Sequence, residues 1–250
     1  MMPYFKNMAE HDVQQKTIEE DIVTIADIET ENALKSYLHD LFPVVDFLGE
    51  ESYVARDDKT FLTGFVCDPI DGTGFFRDGV PKFGLMLSFM QDSELVRTWL
   101  YQPCSGDMII AQKGEGVTLN GQKINASERK KPPLKEQALV GHFRSYDGDA
   151  MHRIHGHIKV NGLHIGEHVC ASMDYFNFVR GTIDNIVYKN AYPWDMAAGA
   201  LIVKELGGHA ALLREQLDLN AHLCADIHAP VLFTRYRDDW APLRAVLLSA

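Results

Sequence analysis

Two aspartates stand three residues apart at the end of an apolar run, in Phe65-Val66-Cys67-Asp68-Pro69-Ile70-Asp71-Gly72-Thr73. Aspartate is depleted in strands and favoured in turns. A pair of them where a strand ends, before a glycine that lets backbone approach a ligand, suggests a metal or phosphate site. Three further carboxylates fall at the edges of expected elements: Asp27, Glu50 and Asp195. Taken singly each has a bland explanation; Asp27 lies in the first turn of a helix, where the dipole favours a carboxylate, and Glu50-Glu51 is a turn pair after a strand. Together the five form a hard-oxygen set suited to Mg²⁺, which takes carboxylates, water and substrate phosphate. The spacing lets Asp68 and Asp71 reach one region, with the Ile70 carbonyl between them as a further oxygen ligand. Gly72 and Thr73 then present backbone N–H groups at a helix N-terminus, which suits a phosphate anion.

The elements that must position these groups are legible from pattern. Thr24 with Asp27 three residues on matches a capping box. Leu34, Tyr37, Leu38, Leu41 and Phe42 then repeat at helical spacing until Pro43, so a helix is expected over 25–41. A short strand at 44–48 leads to Glu50, and another leads into Asp68. Strand signals follow at 83–90, 95–101, 108–111 and 117–119, with Asn120-Gly121 as a type I′ hairpin turn. The charged, proline-bearing run at 127–136 divides the chain into an α+β domain over 1–130 that carries the metal site and an α/β domain over 131–250 that contributes Asp195 and substrate contacts. In the second half we expect strands near 138–143, 163–169, 183–188, 209–213 and 231–234. Helices are expected near 147–158 and 171–180, from Pro193 to Gly207-Gly208, and around Trp240, Leu243 and Leu247. In the helix opened by Pro193-Trp194-Asp195, the residues Trp194, Ala197, Ala198, Leu201 and Ile202 share one face, with Asp195 on the other side.

Composition narrows the classes. A formal net charge of -11 argues against a polyanion as the main partner, so nucleic acid is not expected. Cys67, Cys104, Cys170 and Cys224 are scattered without zinc spacing, which fits a reduced, cytoplasmic protein. No apolar run approaches the roughly 18 residues of a membrane span, and the start Met-Met-Pro-Tyr-Phe-Lys lacks a signal-peptide pattern.

Gly49-Glu50-Glu51, Asp68-Pro69-Ile70-Asp71-Gly72-Thr73 and Trp194-Asp195-Met196-Ala197-Ala198-Gly199 occur in the order and rough spacing of the inositol monophosphatase family, the Mg²⁺-dependent, lithium-sensitive phosphatases. Lys16 with Asp21-Ile22-Val23-Thr24-Ile25-Ala26-Asp27 resembles its upstream block, and Lys113-Gly114-Glu115-Gly116 with Asn120-Gly121 resembles its hairpin. The chain is similar to the family from about residue 16 to 208, and most similar to its bacterial SuhB-type members. The resemblance implies a layered αβαβα sandwich of the sugar-phosphatase type, with the site between the two halves. It further implies two or three Mg²⁺ ions. Glu50, Asp68 and the Ile70 carbonyl would hold the first; Asp68, Asp71 and Asp195 would hold the second, with Asp68 bridging. Glu51 would stand behind these ligands or serve a third ion. Asp27 and Thr73 would orient the attacking water, Gly72 and Thr73 would cradle the phosphate, and Lys16 would add positive charge. The implied reaction is hydrolysis of a small phosphate ester, most simply inositol 1-phosphate or a related polyol phosphate, without a phosphoenzyme and by a cytoplasmic homodimer.

The chain departs from the family at Val169-Cys170-Ala171-Ser172, where a Gly-Ser/Thr-Ala-Ala turn is usual. It departs again at Tyr188, which aligns with the acidic residue that holds a sugar hydroxyl. These positions leave other substrates open: histidinol phosphate, an adenosine bisphosphate or fructose bisphosphate. The N-terminal stretch is also short against the family's first helix. A haloacid-dehalogenase reading uses Asp and Asp-Gly-Thr with one intervening residue near the chain start, whereas here two intervene and 67 residues precede Asp68. The histidines at 152, 155, 157, 164 and 168 suggest zinc only weakly, since no cysteine or carboxylate has ligand spacing with them. A SuhB-like regulatory protein of the transcription machinery is the non-catalytic alternative, and the intact carboxylate set argues for catalysis.

Overall fold

The computed structural model describes residues 1–7, 13–15, 22–53, 63–126, 129–142, 164–165, 167–214, 216, 218–219 and 229–248. Lys16, the expected helix at 147–158 and the histidines at 152, 155 and 157 lie outside these residues. Strands β1 (Val13–Gln15) and β2 (Ile22–Thr24) pair antiparallel, a ribbon that the polar N-terminal sequence did not announce. Thr24 then caps helix α1 (Ile25–Leu41) through the expected box, its backbone N–H donating to Asp27 Oδ2 at 2.8 Å.

The first sheet is ordered β3-β4-β5-β6-β7-β8-β9, built from Asp46–Gly49, Gly64–Asp71, Gly84–Gln91, Glu94–Gln102, Asp107–Gln112, Gly116–Leu119 and Gln122–Lys123. The β3–β4 pair is parallel and the rest antiparallel. Asn120 and Gly121 have φ of 52° and 78°, the two left-handed residues that a type I′ hairpin requires. Between β4 and β5 the short helix α2 (Thr73–Arg77) covers the start of the chain, where Phe5, Phe76 and Phe83 pack with Ala26 and Ile70.

The second sheet runs β11-β10-β12-β14-β13, from His164–Ile165, Ala138–His142, Asn185–Ala191, Ala229–Thr234 and His209–Leu212. Its period-two pattern buries both faces. Val140, Ile186, Tyr188, Val231, Phe233, Ala210 and Leu212 point into the main core. Leu139, Val187, Leu232 and Ala211 point the other way, against Trp240 and Leu243 of helix α5 (Trp240–Leu248).

Helices α3 (Ala171–Arg180) and α4 (Pro193–Glu205) fill the layer between the sheets. Helix α4 packs on β4, β5, β6, β7 and β8 on one side and on β13 and β14 on the other. The sequence reading of α4 as amphipathic is corrected here: Pro193, Trp194 and every residue from Met196 to Val203 are buried. A helix covered by sheets on both sides has no solvent face, so apolar residues surround it. Helices α1 and α2 outside the first sheet, α3 and α4 between the sheets, and α5 outside the second make the αβαβα sandwich.

Candidate metal centre

Asp68 and Asp71 lie inside β4, whose eight residues are all buried, and not beyond its end. Their pairing with β5 shifts register between Asp68 and Asp71, and that irregularity lets both carboxylates leave the ladder on one side. The Asp68 carboxylate accepts the Ile70 N–H at 3.0 Å, which folds the Asp68-Pro69-Ile70 segment around it. Asp195 comes from the first turn of α4, where its Oδ2 accepts the Tyr192 N–H at 2.8 Å. Among the described residues, Asp68, Asp71 and Asp195 bring one oxygen each to within 4.8 Å of one another. The two halves of the chain thus meet at three carboxylates.

Helix α1 reaches the same place. Asp27 and Glu31, one turn apart, are both 1% exposed. Asp27 Oδ1 accepts from Thr73 Oγ1 at 3.2 Å, and the same hydroxyl lies 3.0 Å from the Ile70 carbonyl. Glu31 Oε2 accepts the Glu51 N–H at 2.8 Å, and the Glu50 N–H donates to the Cys67 carbonyl at 3.1 Å. The Glu50 side chain is therefore delivered by a turn held from both sides. Gly72 takes φ +88°, and a Cβ there would stand 2.9 Å from the Lys82 carbonyl oxygen and 3.1 Å from Cys170 Sγ. Only glycine fits that close approach.

Charge in this region is one-sided. Burial pushes the Asp68 carboxyl well above the usual carboxylate range, and Glu50, Asp71, Asp195 and Asp27 each push it further. The neighbouring Cys67 thiol is raised by burial and then by Asp68, Glu31 and Glu50. At 4.8 Å and an effective dielectric near 20, each ionised carboxylate pair repels by roughly 3 kcal/mol. Oxygen donors crowded this way are suited to a hard divalent cation, whose charge turns the repulsion into ligation.

The departures from the family pattern acquire positions. The Ala171 and Ser172 N–H groups at the start of α3 donate to the two oxygens of Asp71, at 3.3 and 2.5 Å. The backbone at the start of α3 thus holds Asp71 in place. Tyr188 is buried and donates to Asp174 Oδ2 at 3.0 Å, and His168 Nδ1 lies 2.6 Å from the same oxygen. Burial raises the Asp174 pKa, and the His168 contact offsets part of that rise. Tyr175, next along α3, donates to the Asp195 carbonyl at 2.7 Å; its ring occupies the space that a Cβ on Gly199 would take.

Sequence reasoning missed Glu31, Asp174 and Tyr175. Glu31 carried a signal, one helical turn after Asp27 on the same face. The other two carried none, because their partners lie far away in the chain or on another element. Lys16 lies outside the described residues, and no helix among those residues is long and apolar enough to cross a membrane.

Comparison with known proteins agrees with this fold. The Fructose-1,6-bisphosphatase/inositol-1-monophosphatase of Thermotoga maritima is 28% identical over 206 residues, 78% of this chain and 73% of its own. The Nus factor SuhB of Pseudomonas aeruginosa is 28% identical over 195 residues, 75% of this chain and 71% of its own. A crystal structure of an IMPase/NADP phosphatase complexed with Mg²⁺ and phosphate superposes with a TM-score of 0.83 at 18% identity, covering 100% of this chain and 90% of that one. The model of the inositol monophosphatase family matches residues 1–235, and the chain belongs to that family.

Proposed function

We propose that this phosphoric monoester hydrolase acts on inositol 1-phosphate or a related sugar or polyol phosphate, with two or three Mg²⁺ ions as cofactor. The observation that carries the reading is the convergence of Asp68, Asp71 and Asp195 within 4.8 Å, with Asp68 and Asp71 buried. Glu50, Asp68 and the Ile70 carbonyl would hold one ion and Asp68, Asp71 and Asp195 a second, with Glu51 behind them. Mg²⁺ bound in such a centre supplies a lowered pKa for a water molecule and neutralises charge on the departing ester oxygen.

The protein's own groups do the rest. With its one proton donated to Asp27 Oδ1, Thr73 Oγ1 keeps its lone pairs to accept from a water and fix its orientation. Asp27, held by the Thr24 N–H, is the end point for the proton that the water gives up. The water oxygen bonds to phosphorus as the ester P–O bond breaks, the leaving alkoxide takes a proton from solvent water, and Asp27 returns its proton to solvent. Gly72, stripped of a side chain, leaves the 72–73 N–H groups open to phosphate oxygens. We also assign to this reading Lys16 as a positive charge near the phosphate, and a cytoplasmic homodimer. Residues 1–130 supply most of the centre, and 131–250 supply Asp195 and the alcohol contacts.

The Thermotoga and IMPase/NADP phosphatase relatives support both the chemistry and a breadth of substrate. The test is phosphate release from inositol 1-phosphate, fructose 1,6-bisphosphate, histidinol phosphate and an adenosine bisphosphate, with Mg²⁺ and with EDTA. Release that needs Mg²⁺ supports the reading. No release from any of them would favour the regulatory role that the Nus factor relative suggests.

A further inference from the structure

The turn that carries Glu50 is pinned at two backbone points. On one side the Glu50 N–H donates to Cys67 in β4; on the other the Glu51 N–H donates to Glu31 Oε2 at 2.8 Å. Glu31 lies in α1, is 1% exposed, and its charge is felt by Cys67, the residue before Asp68. It is a buried carboxylate that the reaction itself does not use. Its carboxyl group also occupies the space beside Gly49: a Cβ on that glycine would lie 2.3 Å from the Glu31 carboxyl carbon and 2.4 and 2.6 Å from its oxygens. Glu31 and Gly49 are therefore complementary halves of one contact, and the turn can close only because residue 49 has no side chain.

We propose that Glu31 is the positioning residue of the metal centre: by accepting the Glu51 N–H and filling the space beside Gly49, it fixes the 49–51 turn so that the Glu50 carboxylate faces Asp68. The role is carried by an acceptor atom and a shape. Charge is incidental to it, which sets Glu31 apart from the ligands. Helix α1 thus serves the site twice from one face, with Asp27 acting on Thr73 and Glu31 acting on the Glu50 turn. Outer groups that orient metal ligands typically change affinity by about 10- to 100-fold when removed.

The proposal rests on the Mg²⁺ reading above, and the experiment separates the two. Mg²⁺ binding to the whole chain is measured by titration calorimetry, beside steady-state turnover. Wild-type protein that binds no Mg²⁺ defeats the metal reading itself. If it binds, Glu31→Leu, which keeps bulk and loses the acceptor, is expected to weaken Mg²⁺ by about 10-fold or more, while turnover at saturating Mg²⁺ stays within about 3-fold. Glu31→Gln keeps an acceptor oxygen and should retain affinity within about 3-fold. Unchanged affinity in Glu31→Leu overturns the proposal. An equal loss in Glu31→Gln also overturns it, because the charge would then be what matters. Should Glu31→Leu not fold, Gly49→Ala pushes on the same contact from the other side: weaker Mg²⁺ binding by a folded variant supports the role, and undiminished binding refutes it.

Discussion

Replacing Asp68 by asparagine separates the charge of the centre from its shape. Asp68 is 2% exposed and shares a 4.8 Å neighbourhood with Asp71 and Asp195, with Glu50 and Asp27 adding to the field. Each pair within that range repels by roughly 3 kcal/mol at an effective dielectric near 20. Without metal, the folded protein answers by drawing a proton onto the cluster, which costs about 1.4 kcal/mol for each unit by which a pKa is moved. Asparagine keeps an oxygen that can accept the Ile70 N–H and removes the charge. In EDTA near neutral pH, Asp68→Asn should therefore be more stable than wild type by about 1–3 kcal/mol, at roughly 2–4 °C of melting temperature per kcal/mol for a chain of this size. With Mg²⁺ at about 1,000 times its dissociation constant the order should reverse, because wild type gains about 4.1 kcal/mol and the variant gains little. Scanning calorimetry with EDTA and with Mg²⁺ reads both arms. A variant less stable than wild type in EDTA, or one that Mg²⁺ stabilises as fully as wild type, would refute the charge-crowding argument.

The same cluster sets a pH dependence. The folded pKa of Asp68 lies above its unfolded value, so its contribution to stability is fully present below about pH 4 and is lost as pH rises through the folded pKa. Metal-free wild type should lose stability as pH rises over that window, and Asp68→Asn should show a flatter curve by chemical denaturation. Thr73→Val removes the hydroxyl that links Asp27 and the Ile70 carbonyl. We expect turnover to fall about 100-fold or more with Mg²⁺ affinity little changed, and near-normal turnover would remove Thr73 from the mechanism. Millimolar Li⁺ should inhibit phosphate release, as the family resemblance implies; insensitivity would separate this chain from that trait while leaving the chemistry in place.

Much of the centre was legible because its signals are local. Thr24 and Asp27 announce the start of α1, Asn120-Gly121 announces the β8–β9 turn, and the Asp-Pro-Ile-Asp-Gly-Thr block carries Asp68 and Asp71 within six residues. What escaped depends on contacts between distant segments. The register shift that lets Asp68 and Asp71 leave one ladder appears only when β5 is laid beside β4. Helix α4 read as one-faced because a single window shows only its strongest stripe, whereas two sheets cover it. The N–H groups of Ala171 and Ser172 reach Asp71 across about a hundred residues, and backbone donors have no side-chain signature. Tyr188 breaks a side-chain pattern, yet its hydroxyl donates from β12 to Asp174 in the neighbouring helix α3, a pairing that no sequence spacing announces.

The central claim is that Asp68, Asp71 and Asp195 ligate divalent cations. Crystals grown with Mn²⁺ in place of Mg²⁺ test it by anomalous scattering. The account predicts anomalous peaks at ligand distance from oxygens of all three aspartates, with Asp68 shared between two ions and Glu50 completing one of them. Mn²⁺ peaks that avoid these aspartates, or none at concentrations that support turnover, would contradict it.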